Sequence, residues 1–248
     1  MKRKDNRKNN ELREIRFTPN YLKYAEGSCL VEDGDTKVVC SVSVEKKVPF
    51  FLKGSGTGWL TAEYGMLPRA TKKRNIRERT NGRISGRSQE IQRLIGRALR
   101  YMINLDEIGE ITLYIDCDVI QADGGTRTAS INAGAVALAI ALKKLTFRNQ
   151  FAKEPLTGLV SAISVGIING VPMLDLDFEE DSEAEVDLNI VENEKKELIE
   201  IQGAGEKRAF TMRELYDLIL LAEKGIEKIL KLQKEAIEKG YEEFLQTI

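Results

Sequence analysis

The stretch from about Thr128 to Lys144, TASINAGAVALAIALKK, most constrains how this 248-residue chain can fold. It is built of small and aliphatic residues on most sides. A helix apolar all round has no face to give to water, so it has to sit centrally with other elements packed around it. Gly134 and the alanines allow a sheet to approach closely. The most apolar part, Ala129–Leu142, contains Asn132 and is too short to cross a bilayer, and no run of 18 apolar residues occurs. The basic N-terminus lacks an apolar core segment, so no signal peptide is expected.

Periodicity places the other elements around that helix. Ser28–Glu32 and Lys37–Val44 are β-rich and flank Asp33-Gly34-Asp35, a hairpin turn pattern. Ser88–Ile103 reads as a helix with Ile91, Leu94, Ile95, Ala98, Leu99 and Met102 on one face. Glu110–Gln121 alternates as a strand, with Ile111, Leu113, Ile115, Cys117 and Val119 pointing one way. Leu159–Ile168 and Val171–Phe178 form a hairpin about Asn169-Gly170. Val186–Val191 and Glu197–Ile201 form another about Asn193. Thr211 and Glu214 make a capping box that opens a long final helix, expected to end near Lys239 before Gly240. The order β-β, α, β, α, β-β-β-β, α predicts an α+β, or mixed α/β, domain with mixed sheets packed on the central helix and the long C-terminal helix. No linker divides the chain, and a single domain over 1–248 is expected.

Charge is segregated. The net charge of −1 hides eleven Lys or Arg against two acids between Arg69 and Arg100, a net of +9. Twelve acids face two lysines between Asp175 and Glu200, a net of −10. The first sixteen residues carry +4. Residues 68–86 lack helical or strand period and read as a long basic loop, and 1–15 as a basic N-terminal arm. So dense a positive segment suits a polyanion. The acidic block could hold metal ions or general acids, or pair with basic surface elsewhere. Its acids at Asp175, Asp177, Glu179, Asp181, Glu183, Glu185 and Asp187 are all odd-numbered, opposite even-numbered apolar residues, and most of them read as a solvent face.

Two features point to anion chemistry. The link Ala122-Asp123-Gly124-Gly125-Thr126-Arg127 joins a strand to a helix, where glycines turn amides inward and the helix start adds partial positive charge. It matches neither common nucleotide fingerprint. Arg127 and Arg87 both stand at helix starts, where a cation is unfavourable by roughly 0.3–1 kcal/mol. A shared oxyanion would explain both; otherwise each sits exposed or pairs with a carboxylate. Glu63 and Asp123 are further candidate acids. Trp59, Tyr64 and Phe147 could stack on bases, although core packing suits each better. Histidine is absent, which excludes a Ser-His-Asp or Cys-His mechanism and a His-ligated zinc. Cys29, Cys40 and Cys117 lie in strand-like runs and are expected to be buried, reduced thiols in a cytoplasmic protein.

Three long strings carry a resemblance: Gly58–Thr71 (GWLTAEYGMLPRAT), Glu90–Leu99 (EIQRLIGRAL) and Asp116–Ser130 (DCDVIQADGGTRTAS). They resemble bacterial ribonuclease PH, and the likeness runs from about Arg16 to Gln233. Lys72-Lys73 departs from a pair that often contains histidine, and the tail 237–248 lies outside the likeness. The resemblance implies a compact β-α-β fold and a homohexameric ring built as a trimer of dimers. It implies a phosphate-dependent 3′→5′ exoribonuclease that trims tRNA precursors and other RNA 3′ ends, releasing nucleoside diphosphates, with no membrane partner. It implies that Arg87, Gly125, Thr126 and Arg127 hold inorganic phosphate, and that Arg69, Arg74 and Arg77 grip RNA. Asp181 and Asp187 match the family's paired acids, one as general acid or both on Mg²⁺. The rivals are an archaeal exosome ring subunit, an inactive RNA-binding scaffold and a small-molecule phosphate enzyme.

Overall fold

A computed structural model describes residues 3–247, apart from the side chains of Arg79 and Asn81. Residues 1, 2 and 248 of the expected arm and tail lie outside the described residues. In chain order the elements are β1 (Ile15–Pro19), β2 (Gly27–Asp33), β3 (Thr36–Glu45), β4 (Trp59–Met66), α1 (Gly86–Arg100), β5 (Thr112–Gln121), α2 (Thr126–Phe147), β6 (Val160–Ile168), β7 (Val171–Leu174), α3 (Phe178–Glu183), β8 (Val186–Asn193), β9 (Leu198–Gly205) and α4 (Met212–Leu245).

The strands form two sheets. One runs β1-β2-β3-β5-β4 and the other β7-β6-β8-β9. All neighbours are antiparallel except β4 and β5, which are parallel and joined through α1. Helix α2 packs against β2 and β3 of the first sheet, β6 of the second, and α1 and α4. Every residue from Thr128 to Leu142 is buried. This is what an all-round apolar helix requires. The helix is long and apolar enough by composition to cross a membrane, but its most apolar window is 78% buried inside the protein. The α+β architecture therefore follows the pattern of the sequence, and one continuous apolar cluster runs through both sheets.

Cys29, Cys40 and Cys117 lie side by side on one rung of β2, β3 and β5. All three are buried free thiols, and the Cys40 thiol hydrogen-bonds to Cys117 Sγ at 3.1 Å.

Several expectations need correction. Strands β1 and β4 were not legible as separate elements. Helix α4 continues to Leu245 through Gly240, because that glycine is a contact rather than a stop. A β-carbon there would lie 2.7 Å from both the Ile140 side chain and Pro19. The strand expected over Val171–Phe178 ends at Leu174, and Asp175 takes a left-handed φ of 56°. The chain then turns into α3, opened by a capping box between Asp177 and Glu180. Asp175 is not on a solvent face. It is wholly buried and accepts hydrogen bonds from the Arg13 backbone N–H (2.7 Å), Nε (3.1 Å) and Nη2 (2.6 Å). The N-terminal segment is likewise no free arm from Arg3 onward: Arg3 and Arg13 are buried against Glu180 and Asp175.

Candidate active site

The site is built where β5 hands over to α2. Gly124 and Gly125 both adopt left-handed backbone, with φ of 77° and 64°. Gly125 caps α2, so Thr126 and Arg127 form its first turn. The first N–H groups of a helix have no carbonyl of their own to bind. Those of Gly125, Thr126 and Arg127 donate to no acceptor among the described residues. Thr126 is pinned from the neighbouring strand, its Oγ1 lying 2.9 Å from the Tyr64 hydroxyl.

The second cationic element is the start of α1. Ser85 caps this helix by accepting from the Ser88 N–H at 3.1 Å. Glu78, from the basic loop, accepts from the Ser88 hydroxyl at 2.6 Å and so ties the loop to the helix start. Arg87 is the second residue of α1, which starts at Gly86, two residues before the start expected near Ser88. It is exposed and makes no hydrogen bond or ion pair among the described residues. Arg127 is aimed by its surroundings: Nη1 donates to Gln202 Oε1 at 3.1 Å and lies 3.5 Å from Glu90. The two arginines line one cleft of about 820 Å³.

The opposite wall carries the acids. Asp181 projects from α3 and Asp187 from β8 into the same cleft. Asp187 Oδ1 is buried and has no hydrogen-bond partner. Burial, with Asp181 beside it and Glu206 nearby, pushes the Asp187 carboxyl up to about 6 against the pull of Arg127 and Arg87. Burial also raises Asp181, again opposed by Arg87 and Arg127. Two like charges side by side on one wall each disfavour the other's ionisation. A divalent cation would relieve both. No group of three or more metal-binding side chains occurs among the described residues. Asp181 and Asp187 are two carboxylates on one cleft, a number that suits Mg²⁺, which takes one or two and completes its shell with water or phosphate oxygens.

The cleft gathers Arg87, Gly125, Thr126, Arg127, Asp181 and Asp187, all of them candidates from the sequence. Arg69, Arg74 and Arg77 are exposed on the basic loop, whose Thr71, Asn75, Ile76 and Glu78 line the cleft mouth. Glu63 is exposed outside the cleft, paired in register with Asp116. Asp123 lines a neighbouring pocket with Arg13 and Asp177 rather than the cleft, and burial, then Asp177, raises its carboxyl against the pull of Arg13. Trp59 is taken up by Arg100, whose guanidinium lies 4.6 Å from its ring centre. Tyr64 is buried as expected, but Phe147 is 47% exposed beside Phe244. Glu206, Lys207, Ser164 and Phe178 also line the cleft and were not singled out from the sequence. Phe178 had a signal, since Asp177 and Glu180 repeat the capping spacing seen at Thr211 and Glu214.

The cleft of this α+β fold thus gathers unpaired amides, two arginines and two carboxyls. The chain belongs to the 3′ exoribonuclease family (RNase PH): the family's domain 1 matches residues 11–144 and its domain 2 residues 158–225. Among solved structures, rice (Oryza sativa) Rrp46 superposes with a TM-score of 0.76 at 21% identity, covering 95% of this chain and 100% of that one. A chain of the Archaeoglobus fulgidus exosome with RNA bound to the active site gives 0.80 at 21% identity, covering 93% and 92%. A chain of an archaeal exosome core gives 0.71 at 20% identity, covering 96% and 91%. At such identities the likeness establishes the fold, and the family assignment rests on the two domain matches.

Proposed function

We propose that this chain is a phosphorolytic 3′→5′ exoribonuclease of the bacterial ribonuclease PH kind, trimming the 3′ ends of tRNA precursors. The observation that carries this reading is the convergence of Arg87 and Arg127, from two helix starts, on one cleft with Asp181 and Asp187. Two anions have to meet in phosphorolysis. Guanidinium forks match phosphate oxygens and offset the repulsion between nucleophile and RNA. Gly125, Thr126 and Arg127 supply backbone N–H groups to the same phosphate. A phosphate oxygen attacks the terminal phosphorus, the bond from phosphorus to the 3′ oxygen breaks, and that oxygen takes a proton. The products are a nucleoside 5′-diphosphate and RNA shortened by one residue. Phosphate is already ionised near neutral pH, so the nucleophile needs no histidine base.

Asp187, with its raised pKa, is suited to deliver the proton, with Asp181 beside it. In the alternative, both carboxyls are ionised, and Asp181 and Asp187 are the residues to hold Mg²⁺, which would supply charge neutralisation between phosphate and RNA. Arg69, Arg74 and Arg77 contact the RNA backbone upstream of the cleft. The working form in this reading is a cytoplasmic homohexamer, a trimer of dimers.

The test is incubation of tRNA precursor with the protein in the presence and absence of inorganic phosphate. Release of nucleoside diphosphates only with phosphate, and 3′ extension with excess nucleoside diphosphate, is the expected result. Equal release of monophosphates without phosphate refutes phosphorolysis, and binding without any shortening identifies an inactive RNA-binding subunit.

A further inference from the structure

We propose that Arg13, from the N-terminal segment, is a positioning residue for the anion-binding turn: it fixes the Asp123–Gly124 peptide plane, from which the amides of Gly125, Thr126 and Arg127 follow, and thereby sets the affinity for inorganic phosphate. The inference rests on reading the cleft as a phosphate site.

The turn presents three carbonyls in succession, those of Asp123, Gly124 and Gly125. Each is occupied from behind. Asp123 O accepts from Arg13 Nη1 at 2.7 Å. Gly124 O accepts from Thr36 Oγ1 at 2.6 Å, and the same hydroxyl accepts the Asp123 N–H at 2.9 Å. Gly125 O accepts both the Ala129 N–H and the Thr128 hydroxyl at 2.9 Å. In a trans peptide the C=O and the following N–H lie in one plane and point in opposite directions. A carbonyl held backward therefore turns the next amide forward. The bond from Arg13 orients the Gly124 N–H, and the bond from Thr36 orients the Gly125 N–H. Without these tethers the two glycines, free at φ and ψ, have no side chain to hold the planes.

Arg13 is itself fixed. Nη2 lies 2.6 Å from Asp175 Oδ1 and 3.2 Å from Asp33 Oδ2, Nε donates to Asp175, and the side chain is 5% exposed. Its Nη2 is packed against the turn, 3.0 Å from where a β-carbon on Gly125 would stand. One planar fork thus reaches acceptors on three separate segments, which the single ammonium of lysine does not reproduce. This also accounts for part of the positive charge of the first sixteen residues, which the RNA grip does not use.

Arg3 provides the internal comparison. It belongs to the same network and is equally buried, donating to Leu174 O at 2.8 Å, to Asp175 O at 2.7 Å and to Glu180. It makes no contact with the turn. Loss of Arg3 therefore reports what the network contributes without a bond to the turn.

The experiment compares Arg13→Lys with Arg3→Lys in the full chain. The readouts are KM for phosphate, kcat, Kd for RNA, and the rise in melting temperature on adding inorganic phosphate without RNA. Arg13→Lys should raise phosphate KM at least tenfold and shrink the phosphate-induced rise in melting temperature, with RNA Kd within twofold of the parent. Arg3→Lys should lower the basal melting temperature and leave phosphate KM within twofold. Should Arg13→Lys not fold, the double variant Arg13→Gln/Asp33→Asn, which removes one buried charge of each sign, supplies the same measurement. If the parent protein is phosphate-dependent and the Arg13 variant keeps its phosphate KM, or if both lysine variants raise that KM equally, the proposal is overturned. If the parent neither uses phosphate nor is stabilised by it, the phosphate reading of the cleft falls, and this inference falls with it.

Discussion

Gly124 is where the anion turn and the acid-bearing helix touch, and its substitution should damage both stability and rate. A β-carbon at this position would lie 2.5 Å from Leu176 O, 2.6 Å from Asp177 C and 2.8 Å from Phe178 N. All three are backbone atoms leading into α3, so no rotamer change relieves the overlap. The φ of 77° adds left-handed strain of about 1–2 kcal/mol for a residue other than glycine. Overpacking adds about 1–3 kcal/mol. Gly124→Ala should therefore lose about 2–5 kcal/mol, or roughly 4–20 °C in melting temperature at about 2–4 °C per kcal/mol. To the extent that the turn yields instead, it moves away from α3 and so away from Asp181, and a shift of about 1 Å costs on the order of 10²-fold in rate. Gly125→Ala is the control for strain without backbone overlap. Its φ is 64°, but its nearest neighbours are side-chain ends, Arg13 Nη2 at 3.0 Å and Thr128 Oγ1 at 3.3 Å. It should lose only about 1–2 kcal/mol of stability. Thermal melts and phosphate-dependent release of nucleoside diphosphate from a short RNA measure both consequences. A Gly124→Ala protein that melts and turns over like its parent would refute the claim that this contact sets the distance between turn and acids.

Three further outcomes are expected. Divalent-ion binding needs ionised carboxylates, so with Asp187 titrating at about 6, Mg²⁺ affinity should rise roughly fourfold from pH 5.5 to 7.5 and be lost in Asp187→Asn, as calorimetry would measure. Glu192 is 2% exposed with an unpartnered oxygen, and burial, then Glu223, pushes its carboxyl up to about 7 from 4.5. A folded-state pKa above the unfolded value means that the folded protein holds the extra proton, so stability falls as pH rises from about 4.5 to 7 and stays lowered above, by about 2–3 kcal/mol. Glu192→Gln should remove this contribution, leaving that of other raised carboxyls such as Asp187, and melt higher than the parent at pH 8; a pH dependence of melting unchanged from the parent would exclude it. Replacing Arg69, Arg74 and Arg77 together with alanine should flatten the slope of log K against log salt for tRNA-precursor binding by about 2, at about 0.7 per lost phosphate contact. Trimming of a very short oligonucleotide should be largely spared, and equal loss on both substrates would assign the loop to catalysis or assembly.

What the sequence disclosed and what it hid divide along a physical line. Helix α2 was legible because its composition leaves no solvent face, and the cleft was legible because cations at helix starts are locally unfavourable. Helix α3 was hidden by the alternating parity of the acids, which favours a strand reading, although the capping pair Asp177 and Glu180 was present. Gln202, Glu206 and Lys207 reach the cleft from β9 and the turn beyond it, some 75 residues after Arg127, and no local spacing marks them. The hardest distinction is between Asp175 and Asp187, both odd-numbered acids of one run and both withdrawn from solvent. Asp175 is saturated: Arg13 supplies its backbone N–H and two guanidinium nitrogens. A buried carboxylate so provided for is a structural anchor, and its ordinary pKa is pulled downward by Arg13 against the effect of burial. Asp187 keeps one buried oxygen without a donor and is pushed the other way. Leaving a buried oxygen unpaired costs about 1–3 kcal/mol. Stability alone would have filled that position, since Arg127 lines the same cleft and is committed to Gln202 instead. The partner that Asp187 lacks in the folded chain is therefore best supplied by the substrate, as the 3′ oxygen that takes its proton or as the cation that accompanies phosphate.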